Sequence, residues 1–215
     1  NIIYWAIENL QFEPYLNSMD SYYSFIIPTN NAMKWYIDPC SYGSGTTILY
    51  EFFYDDATKT VKAHRYNYDL QTQSIIEGRE LTDATSEQVS NRLNDMLNNL
   101  IIVGNVEDGH TYYKTKGGSY IKVEHAGQEG VMKIYGGLQI ETNTPLTVNR
   151  IYDQTTSGNG KSYILDSQMP LSSQKSVYAI LQEHPECSKF LELLLGSRLM
   201  STRLSNRYTC PDYNI

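Results

Sequence analysis

Positive charge is scarce in this sequence, and no cluster of Lys and Arg occurs anywhere in it. The 17 basic residues are outnumbered by 24 acidic ones, so the formal net charge is −7. Nucleic acids are bound through clustered Lys and Arg that neutralise phosphate groups. We therefore predict no nucleic-acid partner, and the same shortage of positive charge disfavours an anionic membrane surface.

Long apolar runs are also missing. No stretch approaches the ~20 apolar residues that a membrane-spanning helix needs, and no charged-then-apolar signal peptide is present. We therefore predict no transmembrane segment in this chain. Because the chain opens at Asn1 and not at Met, we expect a processed or trimmed product.

Cysteine is rare and has no recognisable pattern. Cys40, Cys187 and Cys210 are far apart and show neither metal-ligand spacing nor a C-x-x-C redox pair. We predict three reduced thiols, with one disulfide between Cys187 and Cys210 as the alternative. Asn-x-Ser/Thr glycosylation sites are absent as well, which favours a bacterial secreted protein over an animal one.

The abundant residues favour an ordinary folded domain rich in β structure. Hydrophobic residues make up 40% of the chain, which is enough for a buried core. The 19 Tyr residues suit strands, because the ring packs on a pleated surface while the hydroxyl reaches water. At 215 residues the chain has room for one full domain and part of a second.

A junction between a strand and a helix is predicted early in the chain. The strand is Tyr23-Ser24-Phe25-Ile26-Ile27, and the helix begins within Pro28-Thr29-Asn30-Asn31-Ala32-Met33. Pro28 cannot donate a ladder hydrogen bond and biases the preceding residue toward extended geometry. Thr29 or Asn30 can act as the helix N-cap. We predict a strand near 22–27 and a helix from about 30 to 37.

A second informative segment lies far downstream, over Thr147-Val148-Asn149-Arg150-Ile151-Tyr152 and then Asn159 to Pro170. Asn159-Gly160 is the favoured sequence of a two-residue hairpin turn with positive φ at both positions. The early and late segments together resemble the two conserved segments of fasciclin-like domains, a likeness that covers roughly residues 1–170.

The resemblance implies an α+β fold in which a wedge of antiparallel β-strands is flanked by several short helices. It implies a role in adhesion outside the cell and no catalysis, at an extracellular or cell-surface location, with any anchor outside this chain. It also predicts that the two segments lie side by side in one core. The family's Tyr-His pair, proposed to bind integrins, is absent: Asn99-Leu100 stands before Ile101-Ile102-Val103-Gly104.

Between these segments, residues of about 40–84 are predicted to be an insertion that holds a β-hairpin of 47–54 and 60–66. Thr85 and Gln88 form a capping-box sequence, and the helix that follows places Val89, Leu93 and later apolar residues on one face. Short, antiparallel strands are then predicted at about 111–115, 119–124, 131–135, 138–142, 145–152 and 162–166.

Residues 171–215 are predicted to be a helical segment that resembles the start of a second fasciclin-like repeat. Val177-Tyr178-Ala179-Ile180-Leu181 and Phe190-Leu191-Glu192-Leu193-Leu194 match two helices of the N-terminal region. Chance similarity between two pairs of amphipathic helices is the alternative.

No catalytic, cofactor or metal site is predicted. Gly160-Lys161-Ser162 lacks the earlier Gly of a phosphate-binding loop and is followed by a strand pattern. Glu107, Asp108 and His110 could bind a cation, yet an acidic turn that contains Gly is more typical of a solvated loop.

The leading hypothesis is an extracellular, non-enzymatic adhesion module that binds a cell-surface protein or a glycan. The alternative is a carbohydrate-binding accessory domain, because aromatic rings, which stack on sugars, cluster around the insertion. The competing interpretation of this cluster is that the rings pack the hairpin on the core. A hydrolase would need His and carboxylate groups within hydrogen-bonding distance in a cleft. The candidate interaction residues are Trp35, Tyr36, Tyr42, Tyr66 and Tyr68.

Overall fold

The computed structural model describes residues 2–41, 47–166, 169–170, 181 and 184–196. Helices and several antiparallel sheets are both present, so the predicted α+β class is confirmed. The helices are α1 (Ile2–Asn9), α2 (Glu13–Leu16), α3 (Asn30–Met33), α4 (Ser86–Leu100), α5 (Gly137–Thr142) and α6 (Ser188–Gly196), with short 3-10 helices at Pro39–Ser41 and Pro185–Cys187.

The described strands form three sheets of four strands each. The strands are β1 (Tyr23–Pro28), β2 (Trp35–Ile37), β3 (Thr47–Asp55), β4 (Thr60–Asp69), β5 (Ser74–Glu80), β6 (Ile101–Val103), β7 (Tyr112–Lys114), β8 (Tyr120–Glu124), β9 (Lys133–Tyr135), β10 (Leu146–Thr147), β11 (Arg150–Asp153) and β12 (Gly160–Leu165).

The first sheet has the order β11-β12-β1-β6 and brings the two informative sequence segments together. β1 pairs with β12 over its whole length, from Tyr23 opposite Gly160 to Pro28 opposite Leu165. The prediction that these segments are neighbours is confirmed. The pair is parallel, however, whereas an antiparallel wedge was predicted, and the long intervening chain supplies the crossover that a parallel pair requires.

The helix predicted near 30–37 is wrong in its second half. α3 ends at Met33, and the next residues form β2, in which Trp35 lies opposite Glu51 of β3. Aromatic and β-branched residues fit a pleated surface, so pairing with β3 overrides helix continuation. Thr29 occupies the N-cap position, but its hydroxyl donates to the Asp166 carbonyl at 3.2 Å and does not cap the helix.

The second sheet, β2-β3-β4-β5, lies in the segment predicted to be an insertion. The predicted hairpin is confirmed as β3 and β4, which pair from Thr47 opposite Tyr68 to Asp55 opposite Thr60. The sequence did not indicate the two edge strands, β2 and β5. One face of this sheet, including Tyr50, Phe52 and Ala63, is buried against the rest of the molecule, where β3 and β4 contact α1 and β4 contacts α4.

The predicted capping box of α4 is confirmed. The Gln88 backbone N–H donates to Thr85 Oγ1 at 3.2 Å, and the Thr85 N–H donates to Gln88 Oε1 at 3.0 Å. The predicted apolar face of the helix is buried, as is Arg92, whose Nε lies 3.0 Å from Asp38 Oδ2.

The third sheet has the order β10-β9-β8-β7, and two predictions fail next to it. The strand expected at 138–142 is the helix α5, which begins where Gln139 Oε1 accepts from the Gly136 N–H and ends at Asn143 with φ of 51°. The strand expected at 145–152 is two short strands that belong to different sheets, β10 and β11.

The Asn159-Gly160 hairpin turn was also predicted wrongly. Residues 154–159 connect the two strands, and Gly160 is the first residue of β12. A Cβ atom on Gly160 would lie 1.8 Å from the Tyr23 carbonyl oxygen. Gly is therefore needed here for the close approach of two backbones and not for a turn.

The C-terminal region is described only in part. Residues 177–180 and Cys210 lie outside the described residues, so the second repeat and the Cys187–Cys210 disulfide stay predictions. The segment Phe190–Leu194 lies in α6, in agreement with the predicted helical pattern.

Candidate functional site

The face of the β2-β3-β4-β5 sheet that points away from the core carries most of the candidate aromatic residues. Side chains of successive strand residues point to opposite faces, so the strand register assigns each residue to a face. We call this surface the outer face. It is formed by Trp35 and Ile37 of β2, Leu49, Glu51 and Phe53 of β3, His64, Tyr66 and Tyr68 of β4, and Ile75 and Glu77 of β5.

The structure brings three of the five candidate residues together. Trp35 is 43% exposed, and Tyr66 and Tyr68 are half-buried on the same face. Tyr36 points to the opposite face, where it is buried with its ring centroid 6.3 Å from that of Phe52. Tyr42 lies outside the described residues.

Ionic and aromatic contacts hold Trp35 in place. Its ring centroid lies 6.1 Å from that of Tyr66, and Lys34 Nζ lies 5.1 Å from it. Lys34 pairs with Glu51 Oε1 at 2.9 Å, while the Tyr66 hydroxyl donates to Glu51 Oε2 at 2.8 Å. Burial opposes ionisation of Glu51, but the hydrogen bonds from Lys34 and Tyr66 outweigh it and lower the pKa of this carboxyl. The ionised Glu51 therefore anchors both neighbours of the Trp35 ring.

A cleft of about 760 Å³ opens beside the outer face. Its apolar floor comes from Ala32 of α3, Leu49 of β3 and Met169, all of which are buried. This volume lies in the range of small-molecule binding pockets. The described residues that line the cleft are Asn31, Ala32, Trp35, Ile37, Leu49, Tyr68, Gln73, Ile75, Glu77 and Met169.

Several polar side chains around this cleft form no hydrogen bond to the described part of the protein. Asn31, Gln73 and Glu77 are exposed, and no hydrogen bond joins their side chains to any other described residue. The Trp35 indole N–H and the Tyr68 hydroxyl likewise have no hydrogen-bond partner in the described part of the chain, and burial raises the pKa of Tyr68. All five side chains therefore carry polar groups that no described residue occupies, and these groups are able to bind a ligand.

Three imidazoles lie within hydrogen-bonding distance of a carboxylate, as a hydrolase would require. They are His64 with Asp83 at 2.8 Å, His110 with Asp108 at 2.8 Å and His184 with Glu186 at 2.7 Å. All three pairs lie largely in solvent. Among the described residues, none of these imidazoles forms a hydrogen bond to a Ser, Thr or Cys side chain, so a nucleophile does not join the pair there.

Of the three residues considered as cation ligands, Asp108 and His110 bond each other, whereas Glu107 has other partners. Asp108 accepts from the Tyr113 hydroxyl at 2.6 Å and from His110, and these hydrogen bonds lower the pKa of Asp108 to about 2. Glu107 instead bonds Lys161 at 2.7 Å and the Tyr163 hydroxyl at 2.9 Å. Within the described ranges, no group of three His, Cys, Asp or Glu residues is arranged to hold a metal ion.

Sequence reasoning missed the polar rim of the cleft. Glu77 lies on β5, Gln73 lies in the turn before that strand, and Asn31 lies on α3. The adjacent β-branched residues Ile75 and Ile76 after a polar turn were the available signal for β5. Nothing local to Asn31 indicated that it lies beside that strand.

None of the helices in the described residues has the length and apolar character that crossing a membrane would require. Comparisons of the chain with protein-family models, with curated proteins and with solved structures found no match.

Proposed function

We propose that this chain is an extracellular, non-enzymatic interaction module of a bacterial cell-surface protein, and that it binds its ligand in the cleft beside the outer face. The fasciclin-like motifs support the adhesive role, and the pairing of β1 with β12 is consistent with the neighbourhood that the resemblance implies. The acidic net charge fits a partner other than nucleic acid.

The observation that carries this proposal is a set of polar groups around an apolar floor that have no hydrogen-bond partner among the described residues. Asn31, Gln73 and Glu77 surround the same cleft as the rings of Trp35 and Tyr68. Ligand pockets combine mostly apolar walls with a few polar groups that orient the ligand. The lining of this cleft has that composition.

A glycan fits this composition better than a protein surface does. The C–H faces of a sugar ring pack on aromatic rings, and its hydroxyls both donate and accept hydrogen bonds. The carboxamides of Asn31 and Gln73, the Glu77 carboxylate and the indole N–H supply both kinds of partner. A protein partner of ordinary affinity would instead bury about 800 Å² on each side across a flatter surface.

The test is glycan-array binding of the protein and of two single variants. Trp35→Ala removes the 43% exposed ring of the cleft, and we expect glycan binding to weaken about fivefold or more, since aromatic contacts contribute on the order of 1 kcal/mol or more. Tyr112→Ala is the matched control, because Tyr112 is 56% exposed on the third sheet. Equal binding by the protein and by Trp35→Ala would contradict the proposed site.

Incubation of the protein with the glycans that it binds tests the non-enzymatic part of the proposal. We expect the glycans to be recovered intact. Hydrolysis that is lost in His64→Ala would replace the binding function with a hydrolase that uses the His64–Asp83 pair.

A further inference from the structure

We infer that the cleft takes an extended, uncharged glycan segment of several sugar units. This inference rests on the proposed function, because it names the class of ligand that the cleft binds. The geometry that points to this class is the separation of the two cleft rings, Trp35 and Tyr68. The charge of the cleft lining points to the same class.

The strand register places the Cα atoms of Trp35 and Tyr68 far apart on the outer face. Trp35 lies opposite Glu51 of β3, and Tyr68 lies opposite Thr47, four residues away along the same strand. At about 3.4 Å per residue this offset is roughly 14 Å, and β3 separates the strands that carry the two rings by a further ~10 Å. Their Cα atoms are therefore diagonal across three strands.

Ile37 and Leu49, which also line the cleft, lie between these two residues in the strand register. The diagonal between the Trp35 and Tyr68 Cα atoms is roughly 17 Å. A single sugar ring is too small to reach from Trp35 to Tyr68 across Ile37 and Leu49. A ligand that contacts both must be a chain of sugars.

The charge of the cleft favours an uncharged chain. Among the described residues that line it, Glu77 is the only one with a charged side chain. Lys34 lies beside the Trp35 ring, but its ammonium group pairs with Glu51 at 2.9 Å. The described part of the lining thus disfavours a carboxylated or sulfated sugar beside Glu77, because like charges repel and no described lining residue supplies a cation.

Isothermal titration calorimetry with defined oligosaccharides tests the inference. The neutral probes are malto-, cello- and xylo-oligosaccharides of increasing length from the monosaccharide upward, and the acidic probes are oligogalacturonides of the same lengths. We expect at least tenfold tighter binding of a neutral oligosaccharide than of its monosaccharide, followed by a plateau. We also expect at least tenfold weaker binding of the acidic series.

Variants assign each expectation to a residue. Trp35→Ala and Tyr68→Ala should each reduce the gain that chain length gives, and Trp35→Phe, which keeps a ring, should retain more of the gain. Glu77→Gln should improve binding of the acidic probes relative to the neutral probes of the same length, because it removes the negative charge from the lining. Far-UV circular dichroism of each variant shows whether it is folded, and Tyr112→Ala again serves as the control.

The outcomes separate the inference from the proposed function. If the monosaccharide binds as tightly as the longest oligosaccharide, or if oligogalacturonides bind as tightly as the neutral chains, the inference is overturned while glycan binding stands. If neither these probes nor a glycan array shows binding, the proposed function is overturned and the inference with it.

Discussion

Arg92 and Asp38 are oppositely charged side chains in a place where charge is costly. Asp38 is fully buried and the Arg92 side chain is 3% exposed, with Nε of Arg92 3.0 Å from Oδ2 of Asp38. Arg92 also approaches the half-exposed Asp95 at 3.5 Å. Asp38 lies between β2 and the short 3-10 helix that follows it, and Arg92 lies on α4. This pair therefore ties the β2-β3-β4-β5 sheet, which we call the outer sheet, to α4.

We expect Asp38→Asn to destabilise the protein by about 3–5 kcal/mol, because the substitution removes the nearer carboxylate from the buried Arg92 charge. The substitution keeps the shape of the side chain, so no cavity contributes to the effect. Chemical denaturation measures the change in the free energy of unfolding. Asp56→Asn is the control, since Asp56 forms an exposed pair with Lys59 at 3.4 Å and should show no measurable change.

Loss of the Asp38 carboxylate with unchanged stability would mean that Arg92 is solvated or satisfied by other groups. That outcome would remove the ion pair as the link between the outer sheet and α4.

Single residues of the candidate site illustrate what local sequence can predict. Trp35, Tyr66 and Tyr68 were found from the clustering of aromatic residues, and the structure places all three on the outer face. Tyr36 was included for the same reason but is buried in the core. The two adjacent residues Trp35 and Tyr36 differ only in which face of β2 they occupy, and that depends on pairing with β3.

At the scale of secondary structure, the parallel pair β1–β12 depends on one glycine. Gly160 faces the backbone of Tyr23, where any side chain would collide with the carbonyl oxygen. Beside it, Asn159 Nδ2 donates to the carbonyls of Leu16 and Ser18, both at 2.7 Å. The start of β12 is therefore fixed to β1 and to the end of α2 together.

We expect Gly160→Ala to destabilise the protein by about 3 kcal/mol or more, because the collision is with backbone atoms that cannot rotate away. Thermal and chemical denaturation give the change. Gly196→Ala at the end of α6 is the matched control, since a Cβ there meets no atom within 4 Å and should leave stability unchanged. A Gly160→Ala protein as stable as the parent would show that β1 and β12 are not this close.

Element boundaries were predictable where the signal was local. The capping box of α4 lies within four consecutive residues and was found correctly. The end of α3 and the identity of α5 were not, because β2 forms only through its pairing with β3 and residues 138–142 have a pattern compatible with either structure. In these cases contacts with distant residues decided between helix and strand.

For the whole molecule, the outer sheet and the β1–β12 region share one core. Phe52 and Val61 of the outer sheet belong to the same cluster of buried residues as Ile26 of β1, Leu97 of α4 and Ile134 of β9. The segment predicted to be an insertion is thus packed into the body of the protein and is not attached only at its surface.

We expect the outer sheet and the rest of the fold to unfold in a single transition. Trp5 on α1 and Trp35 on β2 report on different parts of the chain, so Trp35→Phe and Trp5→Phe each leave one fluorescent reporter. For each variant, the Tm from the fluorescence of its remaining Trp should agree with the Tm from far-UV circular dichroism of the same variant. An earlier transition reported by Trp35 alone would show that the outer sheet unfolds independently.

By itself the sequence determined the α+β class, the strand β1, the β3–β4 hairpin and the start of α4, because hydrophobic alternation and capping act between residues a few positions apart. Only the tertiary structure decided the parallel pairing of β1 with β12, the early end of α3 and the role of Gly160. It also decided the composition of the cleft, since α3, the outer sheet and Met169 come together there from three parts of the chain. Contacts between residues far apart in sequence leave no local pattern, so their partners become visible only in the folded chain.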